Sequence, residues 1–227
     1  MRQRNTATAP IPGTGAGWAF GAWLGRTLLR PIFRVRIAGL ENIPRDGSCL
    51  IVSNHLCIYD PPIAGSWLPR RCAFAAKREL FDVPLLGWLW HTMGAVPVRR
   101  DGTDLTAVRI LLRVLHAGGA VMMYPEGTRS RVHTLQPPIA GAAYLAARSG
   151  APVVPLGIHG AERFRLGRWP FNGRVSVNLA YGPPFRLEAT GGKIDGADLE
   201  QMGHAMMRRI AGLLPSSYRG PYDEVTR

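Results

Sequence analysis

The chain has 227 residues, of which 46% are hydrophobic, so it is long enough for one domain with a substantial core and is not intrinsically disordered. Its 28 Lys and Arg against 15 Asp and Glu give a formal net charge of +13, which favours polyanionic partners such as anionic membranes, nucleic acids or phosphorylated small molecules. The 3 cysteines lack the even number and spacing of a disulfide framework and favour a reduced cytoplasmic setting.

The N-terminal segment carries no charge over residues 5–25, but Gly, Pro and Thr interrupt it, so we predict neither a transmembrane helix nor a signal peptide. Its apolar residues are Trp18, Phe20, Trp23, Leu24, Leu28 and Leu29, and the arginines among and after them are Arg26, Arg30, Arg34 and Arg36. Such a mixture suits the headgroup boundary of a bilayer, although an amphipathic helix packed on the domain's own core would look the same. We predict an N-terminal tail and interfacial amphipathic helical segment over residues 1–30, and a globular domain over residues 31–227.

Short apolar runs alternate with helical patterns along the rest of the chain. The predicted strands are FRVRIAGL, CLIVSN, CAFAAK, GAVPV, AVMMYPE, PVVPLGIHG and RVSVNLAYG. This alternation predicts an α/β fold in which helices flank a mostly parallel, mixed sheet.

Two helices are predicted from apolar stripes. The first covers residues 104–117, with Asp104 as its N-cap and Gly118 at its end. Its stripe consists of Leu105, Val108, Leu112 and Leu115, with Arg109 and Arg113 opposite. The second stripe consists of Leu199, Met202, Met206, Ile210 and Leu213, and Pro215 stops this helix.

Polar side chains follow three of the predicted strands. His55 follows CLIVS, and Asp60, just before Pro61 and Pro62, is predicted to be a helix N-cap. The other residues of this kind are Arg99 and Arg100 after GAVPV, and Glu126, Gly127, Thr128 and Arg129 after AVMMY. Because parallel strands end at one edge of a sheet, we expect these groups to converge there, although each could also be a capping residue, an ion-pair partner or a solvated charge.

In four sequence blocks the chain resembles the glycerolipid acyltransferase family, which includes the 1-acylglycerol-3-phosphate acyltransferases. The matching blocks are Asn54 and His55 with Asp60, GAVPVRR with Arg100 as the family arginine and Arg99 in reserve, YPEGTR from Tyr124 to Arg129, and APVVPLGIHG with Pro155. The departures are Cys57 where Ser is common, Tyr124 for the usual Phe, and Ile139 where many relatives have Lys.

The resemblance implies that residues 31–227 form an acyltransferase domain of the glycerol-3-phosphate acyltransferase type. His55 would be the general base and Asp60 its orienting carboxylate. The acceptor phosphate would be held by Arg100, Arg129 and the turn of Glu126, Gly127 and Thr128. The acceptor would be a lysophospholipid, with 1-acyl-sn-glycerol-3-phosphate favoured, and an acyl-CoA or acyl carrier protein thioester would be a co-substrate, with no cofactor and no metal. The expected setting is peripheral, on anionic lipids at the cytoplasmic face of the membrane, without nucleic acid.

Three alternatives remain at the level of sequence. Water in place of the acceptor would make the same site a thioesterase. Arg163, Arg165, Arg168 and Trp169 would suit a non-enzymatic module that binds membranes or nucleic acid. Cys57, close to His55, could act as a covalent nucleophile.

Overall fold

The structure, a computed structural model, describes residues 15–99, 104–170, 173–187 and 194–224. The strands are β1 (Phe33–Ala38), β2 (Cys49–Ser53), β3 (Cys72–Lys77), β4 (Ala95–Val98), β5 (Ala120–Met123), β6 (Val153–His159) and β7 (Val175–Tyr181). The helices are α1 (Gly15–Leu29), α2 (Asp60–Trp67), α3 (Pro84–Thr92), α4 (Leu105–His116), α5 (Ala140–Ser149), α6 (Gly196–Ala211) and α7 (Ser216–Arg219), with short 3₁₀ turns between some of them. All of the predicted strands are confirmed.

The strands form one mixed sheet in the order β1-β7-β6-β2-β5-β3-β4. Every neighbouring pair is parallel except β6 and β7, which confirms the predicted sheet. Consequently β6, β2, β5, β3 and β4 all end at the same edge. This edge is where residues that follow those strands can meet.

Strand β2 lies in the middle of the sheet and is buried along its whole length. Leu50 and Val52 belong to the hydrophobic cluster that includes residues of α4, α5 and α6. Cys49 and Ile51 belong to the cluster on the other face, which includes residues of α1 and α2. Burial on both faces explains the unbroken apolar run of this strand and fixes where the next residues leave the sheet.

Helix α4 begins and ends as predicted, since the Asp104 carboxylate accepts hydrogen bonds from two N–H groups of the first turn and Gly118 has a φ of 78°. The predicted stripe is only partly right. The buried residues are Ala107, Leu111, Val114 and Leu115. Leu105, in contrast, is 58% exposed. The hydrophobic pattern gave too little weight to Ala107, whose small side chain lies in the core.

Helix α1 occupies the segment predicted to be helical and amphipathic. Gly21 and Ala22 are buried, whereas Phe20, Trp23 and Leu28 are exposed. One side of α1 therefore packs on the protein and another carries exposed apolar side chains. Within the described ranges, no helix combines the length and the hydropathy that crossing a bilayer requires.

Gly39 and Gly47 form a matched pair for testing the packing beside β1. Their φ values are 75° and 76°, but a Cβ on Gly39 would collide with the Tyr181 carbonyl oxygen, whereas a Cβ on Gly47 would meet open space. We expect Gly47→Ala to lower the free energy of unfolding by roughly 1 kcal/mol and Gly39→Ala by roughly 2 to 4 kcal/mol. Urea denaturation measures both, and equal losses would show that the contact at Gly39 relaxes at no cost.

Candidate active site

The loop after β2 holds the predicted imidazole and carboxylate together. His55 Nδ1 lies 3.0 Å from Asp60 Oδ2, and the two side chains are 14% and 1% exposed. With Nδ1 engaged by the carboxylate, Nε2 is the ring nitrogen that can exchange a proton with another molecule.

The Asp60 carboxylate also organises the loop in front of it. Its Oδ2 accepts the backbone N–H groups of Leu56 at 2.6 Å and Cys57 at 2.7 Å. The predicted N-cap role is wrong, because Asp60 is the first residue of α2 and its carboxylate turns back toward the loop. Pro62 has no N–H to offer a cap, and the Ile63 N–H donates to the Tyr59 carbonyl.

Asn54 attaches this loop to β6. Its side-chain amide donates to the Ile158 carbonyl and its amide oxygen accepts the Ile158 N–H, both at 2.8 Å. The side chain thus takes the place of a backbone pair at the point where β2 ends. Its partner is 104 residues away in the chain, so local patterns give no sign of this contact.

The loop after β5 holds the backbone of His55 from the other side. The Glu126 carboxylate accepts the N–H groups of His55 and Gln136, each at 3.0 Å. The Ser130 N–H donates to the His55 carbonyl at 2.8 Å. Glu126 is buried, so its oxygens face the protein backbone, and its predicted part in holding a phosphate stays a prediction.

The residues after Glu126 form an exposed turn next to His55. Gly127 has a φ of 67°, and a Cβ there would collide with the side chain of Ile139. Gly127, Thr128 and Arg129 are all exposed. The structure therefore brings the predicted anion-binding turn to the same edge as the imidazole.

The second predicted arginine cannot be placed beside them. Arg100 lies outside the described residues. Arg99, the reserve, is exposed directly after β4, and its backbone N–H donates to the Asp104 carboxylate at 3.1 Å.

Tyr124 connects His55 to a small apolar cavity. The two rings are stacked, with centroids 4.5 Å apart and an interplanar angle of 28°. The cavity lies between the sheet and the helices α1, α2 and α3, and its other lining residues are Trp18, Pro61, Gly65, Leu68, Cys72, Phe74, Met93 and Met122. Sequence reasoning missed this cavity, because its walls come from distant segments.

The surroundings of Cys57 do not favour a nucleophilic thiolate. Its Sγ donates to Asp60 Oδ1 at 3.2 Å. Burial and the nearby Asp60 carboxylate raise the pKa of this thiol well above its usual value, so the reactive thiolate is disfavoured. In the part of the chain that the structure describes, no group of three or more His, Cys, Asp and Glu side chains is arranged to bind a metal ion.

Comparison with known proteins identifies the family of the chain. The family model named Acyltransferase matches residues 34–159. The chain belongs to the acyltransferase family. The matched range contains His55, Asp60 and the Glu126–Arg129 turn, and it confirms the resemblance that the sequence blocks indicated.

Relatives of this acyltransferase-family chain include 1-acyl-sn-glycerol-3-phosphate acyltransferases. The chloroplastic 1-acyl-sn-glycerol-3-phosphate acyltransferase BAT2 of Brassica napus is 35% identical over 136 residues, which cover 59% of this chain and 39% of that protein. The chain therefore spans about two fifths of that relative's length. The 1-acyl-sn-glycerol-3-phosphate acyltransferase of Pseudomonas aeruginosa is 28% identical over 214 residues, which cover 90% of this chain and 79% of that protein.

A solved structure shows the same architecture. The 1-acyl-sn-glycerophosphate acyltransferase PlsC from Thermotoga maritima superposes with a TM-score of 0.61 at 25% sequence identity, covering 90% of this chain and 80% of that one. The predicted fold class, a mostly parallel mixed sheet flanked by helices, is confirmed.

The Glu126 carboxyl is expected to make the free energy of unfolding depend on pH. Burial raises the pKa of its carboxyl from 4.5 to about 7, while the two backbone N–H bonds act in the opposite direction. Since the folded protein then binds this proton more tightly than the unfolded chain, the stability it contributes is present below about pH 4.5 and is lost as pH rises to about 7. The free energy of unfolding, relative to that of Glu126→Gln, is expected to fall by about 3 kcal/mol across that window. Urea denaturation at a series of pH values measures this difference, and a difference independent of pH would contradict the assignment.

Proposed function

We propose that the protein is an O-acyltransferase that moves a fatty acyl group from an acyl thioester to the hydroxyl of a lysophospholipid, with 1-acyl-sn-glycerol-3-phosphate as the favoured acceptor. The observation that carries the proposal is the 3.0 Å contact between His55 Nδ1 and Asp60, which leaves Nε2 for an acceptor hydroxyl. The similarity to 1-acyl-sn-glycerol-3-phosphate acyltransferases supports the acceptor class. The donor is an acyl-CoA or an acyl carrier protein thioester.

The proposed reaction is a direct transfer. The acceptor O–H gives its proton to His55 Nε2 as its oxygen bonds to the thioester carbonyl carbon. The Asp60 carboxylate stabilises the resulting imidazolium. The C–S bond then breaks, and the departing thiolate takes up the proton from the imidazolium. No enzyme nucleophile is needed, which agrees with the suppressed thiolate of Cys57.

Each substrate group has a proposed place around His55. The exposed turn of Gly127, Thr128 and Arg129 offers backbone N–H groups, a hydroxyl and a guanidinium to the acceptor phosphate. The apolar cavity behind Tyr124 offers a path for the acyl chain. Holding both substrates beside one imidazole reduces the entropic part of the barrier.

The function is tested by removing the imidazole. We expect His55→Ala to lower the rate of transfer from acyl-CoA to lysophosphatidic acid by roughly 10²- to 10⁴-fold, because the acceptor hydroxyl loses its base. Mass spectrometry of the lipid products measures the rate. His116→Ala is the matched control, since His116 lies at the end of α4 and contacts the Arg148 carbonyl instead.

Two results would exclude this function. Free fatty acid released at equal rates with and without the acceptor would identify a thioesterase. Full activity of His55→Ala in an acyltransferase-deficient strain would show that the reaction does not depend on this imidazole.

A peripheral location at the cytoplasmic face of a membrane is proposed for the protein. Its support is an exposed aromatic group on α1 and α3, in which the Phe20 ring lies 5.8 Å from Trp23 and 6.2 Å from Trp88. Leu28 on α1 is also exposed. Apolar side chains of this kind, on a protein of net charge +13, suit anionic lipid. The three free cysteines agree with a reducing compartment.

Leu28 and Leu105 allow a controlled test of membrane binding. They are 61% and 58% exposed, but Leu28 lies on α1 and Leu105 begins α4, which packs on the opposite face of the sheet. Sedimentation with phosphatidylglycerol vesicles should show several-fold weaker binding for Leu28→Ser and roughly ten-fold weaker binding for Trp23→Ser, with little change for Leu105→Ser. Equal losses at Leu28 and Leu105 would contradict docking through α1.

A further inference from the structure

The turn that follows β6 is fixed to the loop that carries His55 and Asp60. We call residues 160–165 the basic turn. Its Phe164 is buried and packs edge-on against Tyr59, with ring centroids 5.3 Å apart. Tyr59 directly precedes Asp60, and Phe33 contacts both aromatic rings. The basic turn is therefore a rigid neighbour of the catalytic loop.

Two guanidinium groups project from the basic turn and are held there by the protein. Arg163 is 69% exposed, and its Nη2 donates to the Tyr218 hydroxyl at 3.0 Å. Arg165 is also exposed, and its Nη1 donates to the carbonyls of Glu162 at 2.6 Å and Phe164 at 3.1 Å. Because these side chains are already ordered, binding an anion would cost them less conformational entropy than it would cost a free arginine.

The acidic residue of the turn does not neutralise both arginines. The Glu162 carboxylate is buried and accepts the Gly160 N–H and the Tyr218 hydroxyl, each at 2.7 Å. Its one ion pair is a loose contact of 3.6 Å with Arg163 Nε. The turn thus contains two exposed cations and one buried, hydrogen-bonded carboxylate, and it keeps a net positive charge.

The position of the basic turn separates it from the predicted acceptor site. β6 lies on one side of β2, and β5, with Arg129 beyond its end, lies on the other. A thioester at His55 must extend its long arm away from the acceptor. The basic turn lies on that side, directly after β6.

We propose that the basic turn binds the phosphate of the phosphopantetheine arm that coenzyme A and acyl carrier protein share. The inference rests on the proposed function, since only a thioester donor brings this group to His55. Donor and acceptor phosphates then bind to separate cations on opposite sides of the imidazole, which keeps the two anions apart.

The test compares donors with and without this phosphate. The variant is Arg163→Gln/Arg165→Gln, and the matched control is Arg109→Gln/Arg113→Gln, which removes the same charge from the exposed face of α4. We expect the double variant in the turn to raise the KM for acyl-phosphopantetheine, which carries this phosphate without the adenosine part of coenzyme A, by roughly ten-fold, and to raise the KM for the full acyl thioester donor in the same direction. The KM for acyl-pantetheine, which lacks the phosphate, and for lysophosphatidic acid should stay unchanged.

A binding measurement keeps this test independent of turnover. Calorimetry with free coenzyme A should show roughly ten-fold weaker binding for the turn variant and unchanged binding for the α4 control. Tyr218→Phe, which frees Arg163 from its hydroxyl partner, should weaken binding in the same direction by a smaller factor. The wild-type rate of transfer tests the proposed function separately.

Three outcomes would overturn the inference. One is an equal rise in KM for acyl-pantetheine, and another is a rise in KM for lysophosphatidic acid. The third is a loss of binding to phosphatidylglycerol vesicles with unchanged affinity for coenzyme A, which would assign the turn to the membrane.

Discussion

The buried carboxylate of Asp60 is the constraint on which the rest of the site depends. A carboxylate that is 1% exposed is costly unless its oxygens are satisfied, and here one oxygen accepts two backbone N–H groups and contacts the imidazole. The loop from His55 to Asp60 must therefore wrap around it. The ring is consequently oriented before any substrate arrives, which is the condition for an efficient base.

The neighbouring strands complete this arrangement. Both backbone groups of His55 are bonded to the loop after β5, through Glu126 and Ser130, while Asn54 is bonded to β6. Because β2 is buried between these strands, a shift of either neighbour would move the histidine. The loop from His55 to Asp60 is irregular in conformation, yet hydrogen bonds tie its start to both neighbouring segments.

The sequence was sufficient to predict the strands and the meeting of His55 with the turn after β5, because apolar runs mark buried strands and parallel strands end at one edge. It was not sufficient for contacts between distant segments. Glu126 lies 71 residues from His55, so its hydrogen bond to the His55 backbone could not be predicted from the sequence. The capping rule failed at Asp60, since Pro62 has no N–H and the Ile63 N–H donates to the Tyr59 carbonyl. The cavity behind Tyr124 and the packing of Phe164 on Tyr59 likewise depend on tertiary structure.

The distribution of charge at this edge follows from how the acidic groups are satisfied. Asp60, Glu126 and Glu162 are all buried, and backbone N–H groups bind each of them. Backbone N–H groups, rather than short pairs with arginine, satisfy these three carboxyl groups. The guanidiniums of Arg129, Arg163 and Arg165 stay exposed. An edge built this way places hydrogen-bonded carboxyl groups inside and cations outside. That arrangement suits the proposed reaction, in which both substrates carry phosphate and the proton moves to the imidazole between them.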